Sequence, residues 1–480
     1  MSAPDVVVLG SGPNGLAAAV KLQQAGAQVL VLEGHAQPGG GTRTAELTLP
    51  GFHHDVCSAV HPMGLLSPYL RTLPLEAHGL RWLHGESSVA HPLDDGPAAL
   101  LLRSPEETAA LLGGDGPAYL KLVEPFLRDP HALLEDALAP LRFPRHPLLL
   151  ARFGLKAVRS AQGLASRFRE SRARALVAGC AGHAILPLDA PVTGGLALMF
   201  LITGHVAEWP VAQGGSQAIA RALVSLFTSL GGRVECGVRV RALAELPPAR
   251  LYLFDTSPAQ LEQLAGPVLP NGYRKRLRAY RYGAAAFKLD WALSGPIPWK
   301  DPRCGQASTV HLGGTFEEVA AAEAEVARGG HPSLPYVLVA QQSALDPSRA
   351  PAGKQTGWAY CHVPSGSTLD QTEAIERQLE RFAPGFRDLI LARHQTSPAD
   401  WELYNPNYLG GAITGGSADW TQLFTRPVAR WSPYTTPNPR ILLCSASTPP
   451  GGGVHGMCGA FAADTALRRL RRFAPGPLGR

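Results

Sequence analysis

The sequence has few cysteines and no closely spaced pair of them. Its 480 residues contain seven cysteines, an odd number, and none lies in a C-x-x-C arrangement. That spacing is the usual one for zinc knuckles and for redox-active disulfides, so we expect neither kind of site. Such a set is typical of reduced thiols in a cytoplasmic protein, and no metal site is predicted.

Strong charge of either sign and long apolar segments are also lacking. The 44 basic and 38 acidic residues give a net charge of +6, too small and too dispersed to predict nucleic-acid binding. No segment reaches the ~20 apolar residues that a membrane-spanning helix needs. The first residues carry no basic region, so a signal peptide is not expected and the predicted location is cytoplasmic. A hydrophobic content of 45% is typical of a globular protein with a sizeable core.

The chain opens with a strand, a glycine-rich turn, a helix and a second strand. The apolar runs 5–9 and 28–32 predict buried parallel strands, and residues 16–24 predict the helix between them. The turn has the G-x-G-x-x-G spacing that lets a backbone turn tightly and approach a diphosphate closely. An acid at the end of the second strand can bind ribose hydroxyls. The nucleotide-binding residues predicted here are Gly10, Ser11, Gly12, Pro13, Asn14, Gly15 and Glu33.

Two further glycine-rich segments favour FAD over NAD, which the opening unit alone would fit equally well. The first, Gly39–Gly41, precedes an arginine that can pair with a diphosphate. The second, Ser445–Gly459, leads into a helix whose N-terminal amides can stabilise negative charge on a reduced flavin. The residues predicted to bind FAD in these segments are Gly40, Gly41, Thr42, Arg43, Ser447, His455, Gly456 and Met457.

The order of these motifs resembles the phytoene-desaturase-related family of FAD-dependent oxidoreductases over nearly the whole chain. The similar stretches are Gly10–Leu16, Gly39–Thr44, Leu49–Phe52, Trp209–Pro210, Gly214–Gln217, Phe287–Leu293, Gly415–Gly416 and Ser445–Gly459. The match is closest to the branch called pyridine nucleotide-disulfide oxidoreductase domain-containing protein 2. That name predicts a cysteine pair and a second nucleotide-binding fold, and the sequence contains neither motif. The resemblance implies that the backbone of Val240 contacts the adenine and that residues 55–62 pass near the flavin.

The resemblance also implies the fold class and the domain organisation. We expect an α/β protein in which a Rossmann-like FAD-binding domain, with a parallel sheet, is interleaved with a mixed α+β substrate domain, as in amine oxidases. The FAD-binding domain is predicted to comprise residues 1–95, 208–262 and 401–480. Residues 96–207 are expected to form a helical substrate region that can face a membrane, and residues 263–400 the sheet of the substrate domain.

In a flavin enzyme the cofactor performs the chemical step, so few catalytic side chains are needed. The predicted catalytic residues are those that lie in motifs near the flavin. They are His61, Lys288 and His455. The expected reaction is hydride transfer from an apolar, isoprenoid or polyene-like substrate to flavin N5, with electrons passed to oxygen or a quinone. Two alternatives remain open at the level of the sequence: an amine- or amino-acid-type oxidase, and a flavoprotein scaffold without turnover.

A run of basic residues in the helical region is relevant to whether the protein associates with a membrane. Between Arg142 and Arg174 the chain has nine basic residues and one acid, Glu170. Arg152, Lys156 and Arg159 fall on one helical face, and an apolar face that includes Leu150 and Phe153 falls on another. This pattern fits an interfacial helix on an anionic membrane, and it equally fits the solvated face of a globular domain.

Overall fold

Two β-sheets, one parallel and one mixed, organise the computed structural model of the chain, which describes residues 3–470 and 472–473. The strands are β1 (Val6–Leu9), β2 (Val29–Glu33), β3 (Thr44–Ala45), β4 (His54–Asp55), β5 (Trp82–Leu83), β6 (Ser87–His91), β7 (Ala99–Leu101), β8 (Val211–Ala212), β9 (Arg233–Cys236), β10 (Leu251–Phe254), β11 (Ala285–Leu293), β12 (Ala307–Leu312), β13 (Val337–Ala340), β14 (Gln355–Val363), β15 (Ile390–Thr396) and β16 (Ile441–Leu443).

Helices cover both sheets. They are α1 (Pro13–Gln24), α2 (Pro62–Leu65), α3 (Pro105–Leu111), α4 (Gly116–Leu127), α5 (Pro130–Ala137), α6 (Pro147–Ala157), α7 (Ala161–Ala165), α8 (Ser171–Gly182), α9 (Thr193–Ala207), α10 (Gln217–Ser229), α11 (Pro258–Ala265), α12 (Asn271–Arg278), α13 (Phe316–Ala327), α14 (Gln342–Leu345), α15 (Thr372–Phe382), α16 (Pro398–Tyr404), α17 (Trp420–Leu423) and α18 (Met457–Leu470).

The parallel sheet collects strands from distant parts of the chain in the order β16-β10-β1-β2-β9. Its central strand β1 is entirely apolar and buried, because helices cover both faces of the sheet. On one face pack α1, α10 and α18, and on the other α11 and α12. All its pairings are parallel, so the carboxyl ends of its strands meet at one edge, where ligands of such sheets bind.

The mixed sheet has the order β15-β11-β14-β13-β12-β6-β7. Its longest pairing joins β11 and β14, with Lys288 opposite Tyr360. One face packs against α15, and the other meets α4, α8 and α9 in the largest apolar core. The predicted fold class is therefore confirmed: a parallel Rossmann-like sheet is interleaved along the chain with a mixed α+β domain.

The basic run is not one continuous helix, because it is divided among α6, α7, the start of α8 and the segments between them. Ser160 interrupts the run, because its side chain accepts a hydrogen bond from Gly163 N and so begins α7. Phe153, which the sequence placed on the apolar face of such a helix, is buried in the core, and so are Leu164 and Phe168. Within the described residues, no helix is both long and apolar enough to span a bilayer.

Candidate functional site

The glycine-rich turn between β1 and α1 lies at the carboxyl edge of the parallel sheet. A Cβ at Gly15 would lie 2.2 Å from the Gly10 carbonyl oxygen, so no larger residue fits while α1 begins this close to the strand. Gly10 has φ of +97°, a conformation that favours glycine. The amides at the start of this 12-residue helix therefore face the sheet edge, with the partial positive charge that binds phosphates.

Glu33 is held in place at the end of β2 by four hydrogen bonds. Its Oε2 accepts from Ser11 N at 2.9 Å and from Ser11 Oγ at 2.5 Å. Its Oε1 accepts from His35 N at 2.8 Å and from Arg43 Nη2 at 3.2 Å. The predicted ribose-binding carboxylate is therefore joined to the glycine-rich turn and to the second glycine motif in one network.

The second glycine motif lies directly against the first. A Cβ at Gly40 would lie 3.0 Å from Gly12 Cα, and one at Gly41 would lie 2.4 Å from the Tyr408 hydroxyl. Thr42 is buried, and its hydroxyl donates to Gly39 O at 2.8 Å. Arg43, predicted to pair with a diphosphate, binds Glu33 and donates from Nε to Gln37 O at 3.0 Å. A guanidinium has five N–H donors, so these bonds leave others for a ligand.

Residues 54–61 connect the second motif to the mixed sheet. Although burial opposes ionisation, the guanidinium of Arg349 and hydrogen bonds from Ser216 N and Thr44 Oγ1 hold the pKa of Asp55 below its ordinary value. His61 Nε2 lies 2.8 Å from Ser216 Oγ, whose hydroxyl donates to Ser58 O. The imidazole therefore donates from Nε2, and burial lowers the pKa of His61 to about 4, so the ring is neutral.

The C-terminal loop closes over α1. A Cβ at Gly459 would lie 1.8 Å from Asn14 O, and one at Gly456 would lie 2.8 Å from Ala17 Cβ, so α18 touches α1 along its backbone. Ser447, predicted to bind the cofactor, donates from its hydroxyl to Gly415 O at 2.8 Å. The Ser447 side chain is therefore buried and fixed against the backbone at Gly415.

The side chain of His455 forms a hydrogen bond with the start of α18, the helix that follows it. Its Nδ1 accepts a hydrogen bond from Met457 N at 3.0 Å, so of the two neighbouring amides predicted to bind FAD, the one of Met457 already has a partner. Burial lowers the pKa of His455 to about 4, so the ring is neutral with its proton on Nε2. That Nε2 is buried and has no hydrogen-bond partner among the described residues, which makes it a donor for a ligand.

Lys288 lies on β11 with its amine buried. It forms an ion pair with Asp290, two residues along the same strand, and lies 5.7 Å from the centre of the Trp358 ring. Burial raises the pKa of Asp290 to about 6, against the lowering effect of Lys288. The structure thus brings Lys288 to the face of the mixed sheet that meets residues 54–61, while His61 and His455 lie nearer the parallel sheet.

Several residues of this face were not predicted. On β14, Trp358, Tyr360 and His362 point to the same side, and the rings of the first two lie 5.2 Å apart. His362 Nδ1 lies 2.9 Å from both carboxylate oxygens of Glu323. The alternation of aromatic residues in 357–363 was the signal that could have revealed them, because successive strand residues face opposite sides.

Asp255 is a second residue that sequence reasoning missed. It follows β10, the neighbour of β1, and its Oδ2 accepts a hydrogen bond from Gly15 N at 2.8 Å. Burial raises the pKa of Asp255 to about 7, with a contribution from Glu33, while amide bonds from Gly15 and Gly12 oppose the shift. An acid therefore lies at the helix end where a diphosphate is expected.

The adenine end of the site is an open groove beside Val240. A cavity of about 230 Å³ is lined by Arg239, Val240, Arg241, Gln260, Gln263 and Leu264. Arg239 also contacts Gly34, which directly follows Glu33. The structure therefore places Val240 within reach of a nucleotide whose ribose lies at Glu33.

Taken by their chemistry, these residues fit FAD. The helix end faces the expected diphosphate, Glu33 stands at the expected ribose, and Gly40 lets two backbone segments converge. Asn14 Oδ1 and His455 Nε2 are buried polar atoms without partners in the described part of the chain, and they belong to the first and the last of the glycine-rich segments. No comparable set of metal ligands is present, since no cluster of three ligating side chains occurs among the residues described.

Comparison with known proteins finds relatives of nearly the same length. A domain family described as NAD(P)-binding Rossmann-like domain matches residues 8–73. The chain is 28% identical to Pyridine nucleotide-disulfide oxidoreductase domain-containing protein 2 of Rattus norvegicus, over 98% of this chain and 94% of the relative. It is 26% identical to Phytoene desaturase (lycopene-forming) of Pseudescherichia vulneris, over 96% of this chain and 98% of the relative. The chain is therefore similar over nearly its whole length to oxidoreductases related to phytoene desaturase.

The fold of this chain is shared with amine oxidases. A putrescine oxidase variant with redesigned cofactor binding superimposes with a TM-score of 0.62 at 18% identity, over 98% of this chain and 99% of that one. At this identity the likeness shows the fold alone. The full-length relatives confirm the prediction of an oxidoreductase, and the glycine-rich turn and Glu33 described above fit the predicted cofactor, FAD.

We expect FAD binding by this protein to weaken as the pH rises through about 7. Below that pH Asp255 is protonated, and above it an anion stands beside the diphosphate. The dissociation constant should rise about tenfold from about pH 6 to about pH 8. In Asp255→Asn, whose amide keeps the shape without the charge, it should stay flat. Flavin fluorescence during titration of apoprotein measures both, and a parallel rise in the variant would contradict the assignment.

Proposed function

We propose that this protein is an FAD-dependent dehydrogenase or desaturase of an apolar, isoprenoid or polyene-like substrate. The observation that carries the proposal is the neutral, apolar side of the mixed sheet. Val60, Phe200 and Tyr360 are partly exposed there, although they pack against a core of buried aliphatic and aromatic residues. A surface of this composition favours a substrate that is itself apolar.

The charges around that side of the sheet support the same conclusion. Three buried carboxylates already have partners: Asp290 pairs with Lys288, Asp55 with Arg349, and Glu323 with the imidazole of His362. Binding an ammonium substrate would require a carboxylate to leave its partner, and separating a buried pair is costly. An apolar hydrocarbon makes no such demand, so the desaturase is favoured over the amine- or amino-acid-type oxidase.

The mechanism divides between the cofactor and the chain. FAD, when bound, would supply a two-electron acceptor for a substrate that loses a hydride from one carbon and a proton from its neighbour to form a C=C bond; the proton would pass to solvent, and oxygen or a quinone would take the two electrons. Glu33 and the start of α1 bind the nucleotide, and the neutral His455 holds a proton at Nε2 that it can donate. Trp358 and Tyr360 orient the apolar substrate and exclude water.

Anaerobic bleaching of the bound flavin tests the proposal. Protein purified with its FAD should lose its visible flavin absorbance when mixed with phytoene in detergent micelles, and keep it when mixed with putrescine. Trp358→Ala should slow the bleaching by phytoene about tenfold or more, because it removes aromatic surface from the proposed substrate side. Bleaching by putrescine but not by phytoene would decide for the amine-oxidase alternative.

A further inference from the structure

The segment around α6 exposes an unusual concentration of large apolar side chains. Leu141, Phe143, Leu148, Leu155 and Val158 expose 72%, 87%, 87%, 75% and 61% of their surfaces. Single exposed apolar residues are common on proteins, but a group of them within 18 residues marks a surface that meets another apolar phase. We call these five residues the α6 surface.

Helical geometry explains why these residues cannot turn inward. Leu148 and Leu155 are seven residues apart and lie on one side of α6, while Phe153 lies on the opposite side. Phe153 is buried with its ring 5.7 Å from that of Phe126, in an edge-to-face contact. The helix is therefore anchored to the core by one face and presents two leucines on the other.

Cations border the α6 surface. Arg152 and Arg159 each lie four residues beyond one of the exposed leucines, and Lys156 lies on the same edge. No ion pair engages these three side chains within the described part of the chain, in contrast to Arg142 and Arg145, which pair with Asp136 and Glu135. Partial burial and repulsion from neighbouring cations lower the pKa of Lys156, so the positive charge is locally concentrated.

We propose that the α6 surface docks on an anionic lipid bilayer, with its leucines and Phe143 in the acyl boundary and its cations at the lipid phosphates. An apolar face edged by unpaired cations complements a bilayer in both composition and charge. A second copy of the chain is a poorer occupant, because a two-fold interface would place the same cations against each other. This docking does not depend on which substrate the enzyme takes.

Helix α6 packs directly against α9, and α9 borders the proposed substrate side. A Cβ at Gly195 of α9 would lie 2.8 Å from both Ala157 Cβ and Ala157 O, so α6 and α9 touch along their backbones. Farther along α9, Phe200 contacts the rings of His183 and Trp209 at 4.6 and 5.1 Å. A bilayer bound at α6 would therefore place a lipophilic substrate close to the helix that borders its site.

Vesicle flotation tests the proposal on the full-length, FAD-loaded protein. We expect it to float with phosphatidylcholine vesicles that contain phosphatidylserine. Salt should release it, because the Debye length shortens from ~10 Å at 0.1 M to ~3 Å at 1 M ionic strength. The triple variant Arg152→Glu, Lys156→Glu, Arg159→Glu should lower the partition coefficient at least about hundredfold. Leu148→Ser with Leu155→Ser should lower it about tenfold or more.

A matched control separates this surface from general charge. Lys275→Glu, Arg276→Glu and Lys300→Glu make the same change at exposed positions elsewhere and should leave flotation within about twofold of wild type. All variants should keep the flavin spectrum, which shows that they are folded. Wild type that does not float at low salt, or a control as weak as the triple variant, would overturn the proposal. So would a concentration-dependent dimer that the leucine variant abolishes without any vesicle binding.

Discussion

Glu33→Ala is expected to weaken FAD binding by about ten- to hundredfold. The change removes an acceptor of charge-assisted hydrogen bonds at the ribose, a loss of roughly 1.5–3 kcal/mol. It also leaves Arg43 and the Ser11 amide without their partner at the glycine-rich turn. Glu33→Arg should be weaker still, because it places two guanidinium groups side by side. Equilibrium titration of apoprotein with FAD measures the dissociation constants.

Glu33→Gln serves as the control for shape. The amide keeps an acceptor toward Ser11 and occupies the same volume, but it carries no charge for Arg43, so its affinity should fall between wild type and alanine. Thermal unfolding of each apoprotein checks that the turn still folds. Equal affinity for FAD in wild type and Glu33→Ala would move the ribose contact to another residue.

Gly459→Ala is expected to destabilise the protein by about 3 kcal/mol or more. The added methyl group would meet the Asn14 carbonyl, so α18 and α1 must separate. FAD retention should fall with it, since Asn14 lies in the turn that receives the diphosphate. Urea unfolding followed by far-ultraviolet circular dichroism gives the free energy of unfolding.

Gly154→Ala is the matched change in a helix with free space. No atom lies within 4 Å of a Cβ at Gly154, in the middle of α6. There the intrinsic helix preference for alanine should act alone and stabilise the protein by about 0.5–1 kcal/mol. If both variants shift stability in the same direction by the same amount, the contact between α18 and α1 is not close.

The sequence reveals the nucleotide-binding end of the site because its parts are neighbours along the chain. β1, the glycine-rich turn, α1 and Glu33 occupy residues 6–33, and Gly15 is required by its close approach to Gly10 O within the same turn. Their chemistry can therefore be read without knowing the remaining fold. The FAD-binding role of the individual residues remains a prediction that the variants above test.

The substrate side could not be read in the same way. Whether Trp358 and Tyr360 share a face with Lys288 depends on the register of β14 against β11, about 70 residues away. Asp255 reaches Gly15 only because β10 pairs with β1 across 240 residues of chain. The periodicity of the basic run indicated helical structure. It did not show where one helix ends and the next begins, because Ser160 starts a new helix through a side-chain hydrogen bond.

The strand order β16-β10-β1-β2-β9 has a consequence for how the chain is made. The ribosome releases β1 first, yet this strand acquires its neighbour β10 only after residue 254 has emerged, and β16 completes that edge after residue 443. Contacts this distant in sequence close late, because loop entropy must be overcome before they gain anything. The glycine-rich turn is therefore synthesised among the earliest residues and becomes a binding site among the last events of folding. A ligand that binds only the folded state stabilises it, so we expect added FAD to favour the final docking of α18 and to raise the yield of folded protein.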